Sequence, residues 1–323
     1  MIKQIGYLSL LLTFRQFTFA QVNRLIIEEV ASRTIRLEGY PDWIEIDKSS
    51  AWISNGGLMQ RVSSETHVVV AEVKINRPCA AFAIGFGSVW VASCGDKSIV
   101  RISLASNSVI ASIPLAVADD EGSIVAAEHG VWVLSDVRGI LTRIDPVTNT
   151  VVANIQVKPN SFAAMAGYGS IWITNSGDVS SNDKGSVQRI DPRTNKVVRT
   201  IQVSKQPRFL AVGEGGVWVF NQADGSVSRI DPKSNKVVVV IDCGVPGTGG
   251  DIAAGEGFVW VRAKKELLLV IDPHSNKVIA TFGPPAGSGA VRAGNGYVWV
   301  SAHDVNKIWK LRAGVIPKLT VDK

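Results

Sequence analysis

The sequence has few of the residues from which catalytic and metal sites are commonly built. Among its 323 residues are three cysteines and four histidines, and none of them has the spacing of a zinc site. Charged residues make up 19% of the chain, and the basic ones are interleaved with aspartates rather than gathered in a block or on a helix. Although the formal net charge is +6, this scatter predicts solvated surface and no nucleic-acid binding.

Helical periodicity and long hydrophobic segments are absent as well. No long segment repeats its apolar residues at the roughly 3.6-residue spacing of a helix, whereas short β-branched runs separated by Gly, Asn, Asp and Pro occur throughout. The sequence therefore predicts an all-β protein. The apolar run Ile5–Phe14 is far shorter than the roughly 20 residues that span a bilayer, so no transmembrane span is expected.

The N-terminal segment instead has the pattern of an export signal. A basic residue precedes the apolar run, and Thr18–Ala20 resembles the small-x-small sequence before a cleavage site. An arginine interrupts the end of the run, so a disordered leader or a misassigned start is the alternative. We expect residues 1–20 to be a signal peptide, residues 21–323 to form a single domain, and the protein to be exported to the periplasm, the cell surface or the medium.

What the sequence does contain is a repeated four-strand unit. Its clearest copy, Arg208–Val240, has four short strands separated by a Gly-rich turn, a polar loop and an Asp-Pro-Lys-Ser-Asn turn. A tryptophan in the second strand recurs at Trp52, Trp90, Trp132, Trp172, Trp218, Trp260 and Trp299. This period fits one four-stranded propeller blade, and it is too long for a leucine-rich solenoid. One large aromatic residue per blade is expected to belong to the core.

The predicted fold is an all-β, seven-bladed β-propeller with four-stranded antiparallel blades. Seven copies of the unit can be delimited, at Pro41–Arg77, Pro78–Ala118, Asp119–Asn160, Ser161–Gln206, Pro207–Thr248, Gly249–Ala286 and Gly287–Lys323. Residues 25–38 have the pattern of an outer strand with no blade before it, and blade 7 lacks the turn that leads to its own outer strand. We expect the N-terminal strand to complete blade 7 and close the ring, which removes open sheet edges. The alternative source of this strand is the tail, Val315–Val321.

Two segments of blade 4 resemble a known family. Ile171–Asn175 reads IWITN, and Val187–Val203 reads VQRIDPRTNKVVRTIQV. Both resemble the YVTN-type β-propeller repeat of bacterial surface-layer and periplasmic propellers, a group related to the streptogramin (virginiamycin B) lyase-like propellers. The resemblance extends over nearly all of Thr34–Leu311. It implies a fold rather than an activity, because the matching residues belong to strands and turns.

The propeller fold predicts where a ligand site would lie. Loops from an outer strand to the next inner strand share one face with the loops between second and third strands, around the mouth of the central channel. Aligning the copies on tryptophan assigns to this mouth the candidate ligand-binding residues Asp42, Trp43, Phe162, Arg208, Phe209, Asp251, Arg262, Lys264 and His303. Aromatic walls with charges of both signs favour a small polar or anionic molecule, a glycan or a protein as partner. The alternative is that the charges pair around a water-filled channel.

The resemblance also allows a test for catalysis, because streptogramin lyase-like enzymes use histidines and a glutamate near a bound magnesium. Here only His303 is placed at the mouth, and the other three histidines fall in turns on the opposite face, so that set cannot be carried over. His303 and Asp304 form a candidate acid–base pair, with ordinary surface residues as the alternative. No cofactor is evident, and Mg²⁺ or Ca²⁺ held by the separated Asp42 and Asp251 is the remaining metal hypothesis.

The cysteines predict one cross-link. Cys79 and Cys94 both fall on the mouth face of blade 2, so a disulfide between them is plausible geometrically and fits an exported protein. Two free thiols are the alternative. Cys243, at the end of the outer strand of blade 5, is expected to stay unpaired.

Three functions are consistent with these patterns. The first is an exported binding or scaffold propeller that presents its channel mouth to a ligand or protein, and a monomer is expected. The second is a propeller-type lyase or a lactone or ester hydrolase that uses His303 with Asp42, Asp251 or a divalent ion. The third is a structural envelope module, for which a channel plugged by Trp43 and Phe209 would be evidence.

Overall fold

Short β-branched runs separated by tight turns form the strands, as the sequence predicts. The computed structural model describes residues 23–177 and 183–316. Within them are seven sheets, and the first strand of each blade contacts the first strand of the next, from blade 1 around to blade 7 and back. The protein is therefore a seven-bladed β-propeller, and the predicted fold class is confirmed. The predicted signal peptide, residues 1–20, lies outside the described residues.

The strands follow the chain blade by blade. The N-terminal elements are β1 (Asn23–Ile26), α1 (Ile27–Val30) and β2 (Arg33–Arg36). The strands of blade 1 are β3 (Pro41–Ile46), β4 (Ser50–Asn55), β5 (Leu58–Ser63) and β6 (Val69–Lys74). Those of blade 2 are β7 (Pro78–Gly85), β8 (Ser88–Ser93), β9 (Ser98–Ser103) and β10 (Val109–Pro114). Those of blade 3 are β11 (Ile124–Ala127), β12 (Gly130–Asp136), β13 (Ile140–Asp145) and β14 (Thr150–Gln156).

The second half of the ring repeats the same order. The strands of blade 4 are β15 (Ser161–Gly167), β16 (Ser170–Asn175), β17 (Lys184–Asp191) and β18 (Lys196–Lys205). Those of blade 5 are β19 (Pro207–Gly213), β20 (Gly216–Asn221), β21 (Ser226–Asp231) and β22 (Lys236–Asp242). Those of blade 6 are β23 (Asp251–Gly255), β24 (Phe258–Arg262), β25 (Leu268–Asp272) and β26 (Lys277–Gly283). Blade 7 has β27 (Val291–Gly294), β28 (Tyr297–Ala302) and β29 (Lys307–Arg312), with short 3-10 helices at His303–Val305 and Ala313–Val315. No helix among the described residues has the length and apolar character needed to cross a membrane.

The N-terminal segment closes the ring, but not as one continuous strand. β2 pairs antiparallel with β29 and completes blade 7, so the predicted N-terminal closure is confirmed. The expectation of a single strand over residues 25–38 is wrong, because β1 pairs in parallel with β26 and adds a fifth strand to blade 6. The single turn α1 carries the chain from one blade to the next. Its Ile27 is fully buried, and Glu28 accepts hydrogen bonds from Lys307 and Trp309 of blade 7.

A tryptophan on the second strand of each blade lies in the core between sheets. All seven are at most 2% exposed. In blades 2 to 6 the indole Nε1 donates to a carbonyl oxygen across the inner hairpin, at 3.0 or 3.1 Å. The ring thus fills the space between sheets while its polar atom has a partner. The prediction that these tryptophans are structural is confirmed.

The Asp-Pro-x-Ser/Thr-Asn turns join neighbouring blades through an arginine. In blade 4, Arg189 lies 4.8 Å from the centroid of the Trp172 ring. Its guanidinium also donates to the carbonyl oxygen of Pro232 at 2.8 Å and to Asn235 Oδ1 at 2.9 Å, both in the turn of blade 5. We call the arginines that make this contact, or the equivalent contact of Arg61 with the Ser103–Asn107 turn of blade 2, the latch arginines: Arg61, Arg101, Arg143, Arg189 and Arg229. Blade 6 has Val270 at this position, opposite Trp260, and there β1 and α1 cover the junction with blade 7 instead.

Candidate binding site at the channel mouth

Five loops enclose a cavity of about 530 Å³ on one face of the ring. They are the β2–β3, β6–β7 and β10–β11 loops, which lead from an outer strand to the next inner strand, and the β4–β5 and β28–β29 loops between second and third strands. The two predicted classes of loop thus do share a face. The polar lining is provided by Asp42, Asn55, Arg77, Asp120, Glu121 and His303, and Trp43 provides an aromatic wall.

Three of the predicted ligand-binding aromatics pack against one another across the channel. Trp43 of blade 1 and Phe209 of blade 5 have ring centroids 5.7 Å apart, and Phe162 of blade 4 meets Phe209 edge-on at 5.3 Å. All three are at most 6% exposed. Since these blades lie on different sides of the ring, we interpret the cluster as a plug of the channel, which is the feature expected of the structural module. Of the three, only Trp43 also lines the cavity at the mouth.

Two carboxylates of the cavity have no hydrogen-bonded or ion-paired partner for their side chains in the part of the chain that the structure describes. Among the described residues, the hydrogen bonds of Asp42 and Glu121 involve their backbone atoms and not their side chains. The pKa of Asp42 is raised to about 6, mainly by burial and also by the charges of Asp251 and Asp304, which the nearby Arg262 opposes. Burial also raises the pKa of Glu121, and the charges of Asp42 and Asp119 add to that rise, whereas Arg208 and His303 oppose it. The ionised forms of both groups would therefore be stabilised by a cation placed in the cavity.

The three cationic residues predicted to bind a ligand do not line the mouth cavity. Arg262 is fully buried, and its guanidinium donates to carbonyl oxygens, among them Gly287 at 2.6 Å. Arg208 stacks over the Phe162 ring at 3.5 Å and lines a smaller neighbouring cavity. Lys264 is exposed and lies beside Gly249, outside the residues that line the mouth cavity.

Asp251 has a structural partner. It is 4% exposed and forms an ion pair with Arg292 of blade 7, which also binds Glu45 of blade 1 at 2.5 Å. Burial raises the pKa of both carboxyls, and the Arg292 charge opposes that rise. The triad joins blades 6, 7 and 1. A metal ion between Asp42 and Asp251 would therefore have to break the ion pair.

His303 lies where the sequence places it. Its Nδ1 is 2.6 Å from Asp304 Oδ1, and the imidazole lines the cavity that Asp42 also lines. The other three histidines lie in turns between first and second or third and fourth strands, as predicted, at His67, His129 and His274. The structure thus brings Asp42, Trp43 and His303 to one cavity.

The edge of the cavity carries the predicted disulfide. Cys79 and Cys94 are joined, with Cα atoms 6.0 Å apart, and Cys243 is free. The β10–β11 loop packs beside them, since Ala80 N–H donates to the Asp120 carbonyl oxygen at 2.5 Å.

Among the residues of the cavity that sequence reasoning missed are Tyr40, Arg77, Asp120 and Glu121. The register on tryptophan placed the start of the blade 3 inner strand at Gly122, so the residues before it were not considered. The acidic run Asp119-Asp120-Glu121 was the signal that could have identified this loop.

Comparisons with known proteins support the propeller fold and do not assign a family. No family model matches the sequence, and no curated protein matches it. Virginiamycin B lyase from Staphylococcus aureus superposes with a TM-score of 0.69 at 14% identity, covering 87% of this chain and 98% of that chain. The two proteins share a propeller fold. BamB from Moraxella catarrhalis gives a TM-score of 0.63 at 12% identity, covering 87% and 97% of the two chains.

The WD40 repeats of RRP9 give a TM-score of 0.70 at 9% identity, covering 88% of this chain and 98% of that chain. A lyase and proteins of other kinds therefore match this chain about equally well, and at these identities the likeness shows the fold alone. The predicted resemblance to virginiamycin B lyase-like propellers is confirmed at that level. The YVTN designation of the repeat stays a prediction.

Proposed function

We propose that the protein is a binding propeller whose channel mouth takes a small molecule through a positively charged group, such as an amine. The observation that carries this proposal is the Asp42 carboxyl. It lines the cavity, is half-buried, and has no hydrogen-bonded or ion-paired partner for its side chain among the described residues. A buried carboxylate without a partner gains most from a cation that binds beside it.

The other residues of the cavity support a cationic ligand over an anionic one. Arg77 is 3.5 Å from Asp120, so this cation is already matched by a carboxylate. Asp42 and Glu121 then remain as carboxylates without a direct ion pair among the described residues, although Arg262 and Arg208 are close enough to act on their charges. Trp43 adds an aromatic wall, and aromatic faces attract cations. The aromatic plug closes the channel itself, which confines the ligand to the mouth.

Spermidine is a suitable probe of the site. Titration of the oxidised, full-length protein at about pH 7.5 should show binding of spermidine and a rise in melting temperature, whereas sulfate should have no effect. Asp42→Asn and Glu121→Gln should each weaken spermidine binding at least tenfold. Mg²⁺ and Ca²⁺ form further arms, and binding that depends on Asp42 would identify a metal ion as the cation.

A matched control separates the cavity from general surface charge. Asp136 is the last residue of β12, pairs with Arg138 and is not among the residues that line the cavity, so Asp136→Asn makes the same change in charge elsewhere. Equal loss of spermidine binding in Asp136→Asn and Asp42→Asn would refute the site. If no cation stabilises the protein, the structural module is the better account.

Catalysis is the second candidate function, because His303 and Asp304 form a contact of 2.6 Å at the cavity that also holds Asp42. An imidazole held by a carboxylate at Nδ1 has its Nε2 available for proton transfer. Turnover of a streptogramin or a lactone that is lost in His303→Ala would favour the lyase or hydrolase. No turnover, together with spermidine binding, would favour the binding protein.

Export is part of the proposal and rests on the N-terminal sequence pattern. Expression in a bacterial host with a fractionation assay should place the protein outside the cytoplasm, with Gln21 as its first residue. An uncleaved protein in the cytoplasm would count against export without affecting the proposed site.

A further inference from the structure

The disulfide at the edge of the mouth lies beside a carboxylate. Asp120 Oδ1 is 3.4 Å from Cys94 Sγ, and the two sulfur atoms and an Asp120 oxygen all lie within 4.8 Å of one another. Two thiolates and a carboxylate are ligands that Zn²⁺ accepts, with a water molecule in the fourth position. Cys79 is near the start of β7, Cys94 directly follows β8, and Asp120 is in the β10–β11 loop that leads to blade 3.

We propose that Cys79, Cys94 and Asp120 form a redox-dependent site that binds Zn²⁺ when the disulfide is reduced. A dithiol breaks the S–S bond and is oxidised to its own disulfide, and each protein sulfur gains one electron and one proton. Zn²⁺ then replaces the two thiol protons, which pass to water, and Asp120 supplies the third ligand.

The backbone at this site is held by bonds that do not involve sulfur. The Cys94 N–H donates to the Arg77 carbonyl oxygen at 3.0 Å, and Gly95 N–H donates to that of Asn76 at 3.1 Å. On the other side, Ala80 N–H holds the Asp120 carbonyl oxygen. Reduction therefore leaves the three ligands close together, and rotation of the cysteine side chains is the remaining adjustment.

The distance between Cys94 and Asp120 and the charge of the site also fit zinc, whereas the two sulfur atoms must move apart once their bond is reduced. A tetrahedral ion with bonds of about 2.3 Å to sulfur and 2.1 Å to oxygen separates these two atoms by roughly 3.6 Å, close to the 3.4 Å between Cys94 and Asp120. Two thiolates, a carboxylate and Zn²⁺ leave one negative charge. Arg77, 3.5 Å from the other oxygen of Asp120, is placed to balance it.

Zinc titration of reduced and oxidised protein tests the proposal. The full chain is reduced with dithiothreitol, desalted without oxygen, and titrated with Zn²⁺ against a chromophoric chelator. We expect one tightly bound zinc per reduced chain and none per oxidised chain. Co²⁺ in place of Zn²⁺ should give thiolate-to-metal charge-transfer absorption in the reduced protein alone. Equal zinc binding in both redox states, or loss of the folded circular dichroism spectrum on reduction, would overturn the site.

The third cysteine provides the matched control. Cys243 is in blade 5 and is not among the residues that line the mouth cavity, and burial raises the pKa of its thiol to about 12, so Cys243→Ser should bind zinc as the wild type does. Cys79→Ser and Cys94→Ser should lose binding, and Asp120→Asn, which keeps both thiols, should weaken it at least tenfold. Loss of binding in Cys243→Ser, or unchanged affinity in Asp120→Asn, would contradict the assignment. Because spermidine binding is measured on oxidised protein, failure of either proposal can be told from failure of the other.

Discussion

At the residue scale, the Asp42 carboxylate should lower the free energy of unfolding at neutral pH, where it is ionised and can bind a cation. A carboxyl whose pKa is raised by folding contributes stability below its unfolded pKa of roughly 4, and that contribution is lost as the pH rises through about 6. Asp42→Asn should therefore raise the free energy of unfolding by about 1–3 kcal/mol at neutral pH and change it little near pH 4. Urea unfolding at both pH values measures this, and a less stable variant at neutral pH would contradict the raised pKa.

At the element scale, each latch arginine lies on the third strand of one blade and binds the turn between the third and fourth strands of the next blade. This contact explains why the arginine and the turn recur together along the chain. Arg189 stacks on Trp172 and donates two hydrogen bonds to the turn of blade 5. Arg189→Ala should lower the free energy of unfolding by about 2–3 kcal/mol, since it removes both charge-assisted bonds and the stacking. Arg193→Ala, an exposed arginine of the adjoining turn, should change it by less than about 0.5 kcal/mol. Equal effects in urea unfolding would mean that the latch does not stabilise the ring.

The N-terminal elements make a second prediction at this scale, at the junction of blades 6 and 7, where Val270 replaces the latch arginine. Ile27 is fully buried there, whereas the preceding Ile26 is 43% exposed. Ile27→Ala should cost about 2–4 kcal/mol of unfolding free energy, because it leaves a cavity in the core. Ile26→Ala should cost much less. If thermal unfolding does not distinguish the two variants, α1 is not part of the core.

At the scale of the whole molecule, the sequence predicts the ring more completely than the site. The tryptophan repeat determines the number of blades, and the outer-strand pattern before blade 1 predicts closure through β2. The charged residues of the mouth are harder to predict, because the sequence assigns them to a face but not to partners. The sequence assigned Asp251 and Arg262 to a ligand. In the structure Asp251 pairs with Arg292 of blade 7, and Arg262 donates to Gly287 in the loop that leads to blade 7.

The loop Asp119–Gly122 shows the opposite case, in which residues of the site were not predicted from the sequence. Its carboxylates matter because the β10–β11 loop folds over blade 2, where a hydrogen bond from Ala80 holds Asp120. A contact of this kind between blades produces no characteristic residue spacing in the sequence, so it cannot be predicted from the pattern. The proposed zinc ligands could not be predicted from the sequence for the same reason, because Asp120 is in a different segment from Cys79 and Cys94.

The pH dependence of spermidine binding tests the central claim most directly. Because the pKa of Asp42 is about 6, the carboxylate is ionised at neutral pH and is mostly protonated one pH unit below that value. Calorimetric titration should show affinity about tenfold lower near pH 5 than at neutral pH in the wild type, with weak binding at both pH values in Asp42→Asn. Spermidine binding that is the same in the wild type and in Asp42→Asn at neutral pH would contradict the account.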